Sequence, residues 1–173
     1  MRTTLILCFG LGVTVLASAG ERAALWPEGK IPDFQPQQIA ATTEEVKAPG
    51  FKAAEHVMPY LDWYEAPAAK NGACMLLISG GGYQSCCDGV WIDWVAKKFT
   101  ELGYVCVSLT YRTPRPQGLP IYRSAWQDGQ RAVRLVRSEA QKRGFDVEKI
   151  GAFGFSAGSH LTVLLATSAL TPA

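Results

Sequence analysis

The feature that most constrains the fold is an alternation. Three uninterrupted apolar runs, "ACMLLIS" (73–79), "YVCVSLT" (104–110) and "KIGAFGF" (149–155), are each followed by a stretch with helical spacing. A strand with one wet face alternates apolar and polar residues. A run that is apolar throughout fits a strand covered on both faces, as in parallel sheets. After the first run, Trp91, Ile92, Trp94, Val95, Phe99 and Leu102 recur at helical spacing, and Gly103 supplies a stop. After the second, the proline-rich loop "YRTPRPQGLP" leads into a helical pattern from Tyr122 to Arg143, ended by Gly144. After the third, residues 157–169 are small and apolar almost all round, which predicts a buried helix. Strand and helix in turn, three times over, predict an α/β fold: a mainly parallel sheet with helices on both faces, a three-layer α/β/α arrangement.

The segments before this alternation have a different character. "MRTTLILCFGLGVTVLASAG" opens with Arg2, continues as an apolar run from Leu5 to Leu16, and reaches Ala17-Ser18-Ala19, the small-x-small form of a signal peptidase site. The run is shorter than the roughly 20 residues of a membrane span. The expected organisation is therefore a signal peptide over 1–19, an extended N-terminal arm over 20–54, and one α/β domain over 55–173. An uncleaved anchor is the alternative for the first segment. Export to a periplasm or the medium follows, with no stable membrane insertion after cleavage. Within the domain, "EHVMPYLDWYE" (55–65) suits a strand broken by Pro59, and "PAAKNGA" reads as a turn at Asn71-Gly72.

Composition excludes several classes. Of 173 residues, 48% are apolar and 18% charged, which is globular; the formal net charge of +2 with no run of like charge gives nothing that favours nucleic acid or an anionic membrane surface. Apart from Cys8, the cysteines are Cys74, Cys86, Cys87 and Cys106. An oxidising compartment invites a disulfide reading. However, Cys74 and Cys106 sit in buried-strand runs and Cys86 and Cys87 are neighbours, so buried or inert thiols are the reading of this spacing. No Cys/His set has zinc-ligand spacing, and no metal or cofactor is expected.

The third apolar run ends in Gly154-Phe155-Ser156-Ala157-Gly158, "GFSAG". A serine between two glycines at a strand-to-helix corner suits a nucleophile: the turn lifts the hydroxyl out of the sheet, and the helix aims its first N–H groups at developing negative charge. A serine that merely caps the helix is the alternative. The first run ends similarly in "SGGGY" (79–83), a glycine triplet whose backbone N–H groups can approach a substrate oxygen. The spacing of a phosphate loop, G-x-G-x-x-G or G-K-[ST], does not follow.

"ISGGGY", "LTYR" (109–112), "AWQDGQRAVRLVR" (125–137) and "VEKIGAFGFSAGSH" (147–160), in this order, resemble the α/β-hydrolase serine esterases related to acetylxylan esterases and the hormone-sensitive-lipase group. "ALWPEGKIP" (24–32) is similar to the start of exported bacterial members. The likeness covers most of residues 24–169, and the chain departs from the HGGG form at Ser79. What it implies is an N-terminal part of an α/β-hydrolase fold, with Ser156 as nucleophile, the N–H groups of Gly81, Gly82 and Ala157 as oxyanion hole, and Tyr83 bordering the substrate.

The other polar residues read as structural. Asp128 precedes the serine, whereas in this fold the triad acid follows it; pairing with backbone or an arginine is its expected role. His160 lies on the nucleophile helix and His56 in the N-terminal strand region, and neither fits the general base. The residues after Ser156 hold no carboxylate. The expectation is a C-terminally incomplete esterase on small esters or acylated polysaccharide, itself inactive, with the third strand left as an edge and the helix after it short of cover. A peptidase or amidase of the same fold is the alternative within the enzymes. A non-catalytic remnant or binding module is the alternative outside them.

Overall fold

A computed structural model of the chain describes residues 20–34, 53–54, 58–66, 70–87 and 90–167. The proposed signal peptide, most of the second half of the arm and His56 lie outside the described residues. In chain order the elements are β1 (Glu21–Ala24), β2 (Ala53–Ala54), β3 (Tyr60–Tyr64), β4 (Cys74–Ile78), β5 (Cys86–Cys87), α1 (Val90–Glu101), β6 (Val105–Thr110), α2 (Arg123–Arg143), β7 (Ile150–Gly154) and α3 (Ala157–Thr167). Five strands form one sheet in the order β1-β3-β6-β4-β7, and β2 and β5 make a separate two-stranded ribbon. The three apolar runs, β6, β4 and β7, are the parallel strands; β3 runs antiparallel to β6, and β1 antiparallel to β3.

Pleating sorts the side chains of the inner strands onto two faces. Leu76, Ile78, Val105, Val107 and Leu109 share one core cluster with Val136 of α2 and Leu161 of α3. Leu77 and Cys106 face the other way, against Ile92, Val95 and Ala96 of α1. The sheet is thus sandwiched between α1 and the α2–α3 pair. The same sorting settles two of the cysteines. Cys74 lies in the first cluster and Cys106 in the second, on opposite faces of neighbouring strands, so no bridge can join them. Burial pushes both thiols up to about 12, and all four described cysteines are free.

Helix α2 ends where its sequence says it should. Gly144 takes a left-handed φ of 72°, and its N–H bonds back to the Gln141 carbonyl. Its inner face carries Asp128, fully buried. The carboxylate accepts the backbone N–H of Arg112 at 2.8 Å, the Arg112 Nε at 3.0 Å and the Trp26 indole N–H at 2.8 Å. Arg112, equally buried, donates further to the carbonyls of Pro32 and Ser124 and to Gln127. Asp128 is therefore a structural acid that joins the N-terminal segment, the loop after β6 and α2.

The start of the arm is extended as a strand: Glu21–Ala24 pairs with β3 and lies at one edge of the sheet. The apolar periodicity of the last helix overstates its burial. Helix α3 is buried only through Ala157, Gly158 and Leu161, while Val163 is 58% exposed. The reason is the position of β7: it is the opposite edge of the sheet among the described residues, so the helix packed on it is covered on one side only.

Candidate active site

The site forms where two strand ends meet. β4 and β7 pair in parallel with Ile78 opposite Gly154, which brings the segments after them, Ser79–Tyr83 and Phe155–Gly158, side by side. This is the carboxyl edge of the parallel sheet, where open α/β sheets bind their ligands.

The corner after β7 is a strained elbow. Ser156 has φ of 49°, in the left-handed region that non-glycine residues rarely enter. Both flanking glycines are required by close approach. A Cβ on Gly158 would overlap the Ile78 and Ser79 carbonyls, and one on Gly154 would overlap the Gly158 backbone. The turn is tied by Gly158 N–H to the Phe155 carbonyl at 2.7 Å, by His160 N–H to the Ser156 carbonyl at 3.2 Å, and by the Ser159 hydroxyl to the Gly154 carbonyl at 2.6 Å. The Ser156 side chain projects to solvent at the N-terminus of α3.

The glycine-rich loop lies against this elbow. A Cβ on Gly80 would stand 3.2 Å from the Ser156 Cβ, so the two backbones are in direct contact. The loop closes as a turn in which the Gly81 carbonyl accepts the N–H groups of Gln84 and Ser85, and the Gly80 carbonyl accepts that of Cys87. Among the described residues, the N–H groups of Gly81, Gly82 and Ala157 have no acceptor. They are the three that the family resemblance nominates for an oxyanion, and they sit on the two segments that meet at this corner.

Tyr83 is buried, and its ring packs against Tyr111 with centroids 5.8 Å apart. Its hydroxyl lies 3.1 Å from the Ala157 carbonyl and 2.8 Å from His160 Nδ1. Burial pushes that hydroxyl up to about 12, so it remains a proton donor. The sequence did not link Tyr83 to His160; 77 positions separate them. Among the described residues, no imidazole or carboxylate is bonded to the Ser156 hydroxyl, and no group of His, Cys, Asp and Glu could hold a metal ion. No described helix is long and apolar enough to cross a membrane. An apolar depression of about 180 Å³, lined by Trp26, Met58, Pro59 and Tyr60, lies beside β1, at the other edge of the sheet from Ser156.

A parallel sheet layered by helices, with a serine elbow and a glycine loop at its carboxyl edge, defines the α/β-hydrolase class. Residues 61–172 match the BD-FAE family model, and the chain belongs to this family of α/β-hydrolase esterases. It is 39% identical over 93 residues to endo-1,4-beta-xylanase B of Butyrivibrio fibrisolvens, covering 54% of this chain and 14% of that protein. It is 37% identical over 81 residues to the esterase LipQ of Mycobacterium tuberculosis, covering 44% and 17%. Among solved structures, the acetyl ester-xyloside bifunctional hydrolase of Caldicellulosiruptor lactoaceticus superposes with a TM-score of 0.64 at 27% identity, over 89% of this chain and 49% of that one. Esterase Est2 of Thermogutta terrifontis, with propionate bound, gives 0.55 at 26% identity, over 69% and 46%. The chain thus spans about half the length of these structures and a smaller share of the two sequence relatives.

Proposed function

We propose that Ser156 is the nucleophile of an exported carboxylic ester hydrolase that removes short acyl groups, acetyl above all, from acylated polysaccharide such as xylan. One observation carries the reading: an exposed serine hydroxyl held at a left-handed φ, beside three backbone N–H groups with no described acceptor. The hydroxyl attacks the ester carbonyl and its proton passes to a general base. The carbonyl oxygen becomes an oxyanion held by the N–H groups of Gly81 or Gly82 and Ala157, and the alcohol leaves with a proton returned by the base. Water then repeats the sequence on the acyl-enzyme and releases the acid. We assign the base and its orienting acid to polypeptide outside the described residues. The acetyl ester and xylan chemistry of the relatives supports the substrate class, and the leader-like pattern over 1–19 supports export.

The test uses the protein with everything translated alongside residues 1–173. A fluorophosphonate probe labels wild type and leaves Ser156→Ala unlabelled. Acetate release from acetylated xylan falls by several orders of magnitude in the variant, on the pattern of triad knockouts. p-Nitrophenyl esters of two to four carbons exceed long-chain esters and peptide amides in kcat/KM. Equal labelling of both proteins overturns the nucleophile assignment, and preference for long acyl chains or amides overturns the substrate class.

A further inference from the structure

We propose that Tyr83 and His160 are positioning residues that latch the glycine-rich loop to the first turn of α3 and so set the spacing between the two halves of the oxyanion hole. The inference rests on the reading of Ser156 as nucleophile.

Tyr83 ends the glycine run with φ of 62°, a conformation that a bulky aromatic residue adopts only when its surroundings hold it there. What holds it is visible. Its ring is buried against Tyr111, and its hydroxyl spans the Ala157 carbonyl and His160 Nδ1. The far end of the run is held too, because the Tyr111 hydroxyl donates to the Ser79 carbonyl at 3.1 Å. The loop is therefore fastened at both ends, and at the Tyr83 end the fastening is a hydrogen bond to the nucleophile helix.

Proton accounting makes the latch a specific one. The phenol has a single proton, and the Ala157 carbonyl can only accept. Both contacts are hydrogen bonds only if Tyr83 donates to Ala157 and His160 donates from Nδ1–H to the phenol oxygen. The imidazole is steadied from its other side by the Tyr122 ring, edge-on at 5.7 Å, next to the start of α2. Tyr83 is the chain neighbour of Gly82, and it is bonded to the residue whose own N–H is the third oxyanion donor. One side chain thus fixes both donors relative to each other. The phenol's two polar contacts are both spent on the latch, so its role is placement rather than chemistry.

Misplacing a reacting group by about 1 Å can lower a rate about 100-fold, and losing one oxyanion donor lowers it about 100- to 1000-fold. Loosening the latch belongs at or below the lower figure. In the protein with everything translated alongside residues 1–173, Tyr83→Phe and His160→Ala are each expected to lower kcat for p-nitrophenyl acetate about 10- to 100-fold, with KM within about 2-fold. The double variant should be no slower than the slower single one, because both remove the same latch. His160→Asn, whose amide can occupy the Nδ1 position, should recover most of the lost kcat. Additive losses, a fall carried by KM, or no recovery with Asn overturn the latch. Tyr83→Phe keeps the buried ring, so with His160→Asn it carries the test if His160→Ala does not fold. Fluorophosphonate labelling separates the two failures. If wild type is not labelled at Ser156, the nucleophile reading falls and the latch with it. If wild type and latch variants are labelled at equal rates, the latch alone falls.

Discussion

Among the described residues, the two edges of the sheet differ in character. The β1 edge is short and charged. Arg22 makes two bonds to Asp62 at 2.8 Å, and Arg143 reaches Glu21, Glu65 and Glu139 while its guanidinium lies 3.8 Å from the Trp63 ring centre. Short length and charge are the usual ways in which proteins keep a sheet edge from pairing with another chain. The β7 edge is nearly as short but lacks the charge. Its five residues, Ile150–Gly154, carry no charge, Phe153 and Phe155 are 37% and 38% exposed, and Val163 on the neighbouring helix is more open still. Charge lines the sheet at one end, and the Ser156 elbow rises from the other. The two ends therefore respond to different perturbations: ion-pair chemistry at the first, apolar contact at the second.

The largest effect should come from the network that anchors the N-terminal segment behind the β1 edge. Burial pushes the Asp128 carboxyl up from its ordinary range, while the Arg112 charge and the donors around it pull the other way. Removing the acid strands a buried guanidinium, so Asp128→Ala should lose about 3–5 kcal/mol in urea unfolding. A loss under about 1 kcal/mol would show that the β1 edge does not depend on this pair.

A smaller, pH-dependent effect belongs to the outer ion pairs. Bonding to Arg143 holds the Glu21 carboxyl below its ordinary 4.5. At Glu65 burial pushes upward, but the bonds from Lys70 and Arg143 prevail and its value is lowered as well. Both groups therefore bind fewer protons folded than unfolded. Their stabilisation is complete above the ordinary value and is lost as pH falls through the lowered folded values. Thermal midpoints measured from pH 7 downward should fall in that acid window. Arg143→Met should start lower at neutral pH and show a flatter acid limb, and parallel curves for the two proteins would remove the ion pairs from the account.

The smallest effect on stability is expected at the β7 edge. Val163→Lys replaces a mostly exposed side chain, so unfolding should shift by no more than about 0.5 kcal/mol. Sedimentation of the 173-residue chain should nevertheless move toward monomer, because the charge interrupts an apolar patch. Unchanged association would place the sticky surface elsewhere.

β4 and β6 were legible because they are apolar throughout and buried on both faces; β7, equally apolar, reads as buried too but holds no buried residue, because it lies at the edge of the sheet among the described residues. β1 was not legible: Glu-Arg-Ala-Ala is short and mostly exposed, and only its partner β3 makes it a strand. The elbow could be read because two glycines at fixed spacing encode a close approach that no other residue permits. The left-handed backbone of Tyr83 had no such flag, since tyrosine gives no local sign of it. Its bond to His160 exists only after β4 and β7 have paired. For the same reason the apolar periodicity of α3 reads as a buried helix although the helix is short of cover, since periodicity does not report how many neighbours it will have.

That pairing has a consequence in time. Ile78 and Gly154 are opposite each other in the sheet but far apart along the chain, with α1, β6 and α2 between them. Parallel contacts of such long range form late, because a large loop must close before they are rewarded. Gly158 can seat on the Ile78 and Ser79 carbonyls only once this has happened. A nascent or unfolded chain therefore carries Ser156 as an ordinary alcohol on a flexible backbone. On the proposed reading of Ser156, its activation waits for this long-range pairing rather than for synthesis of the residue.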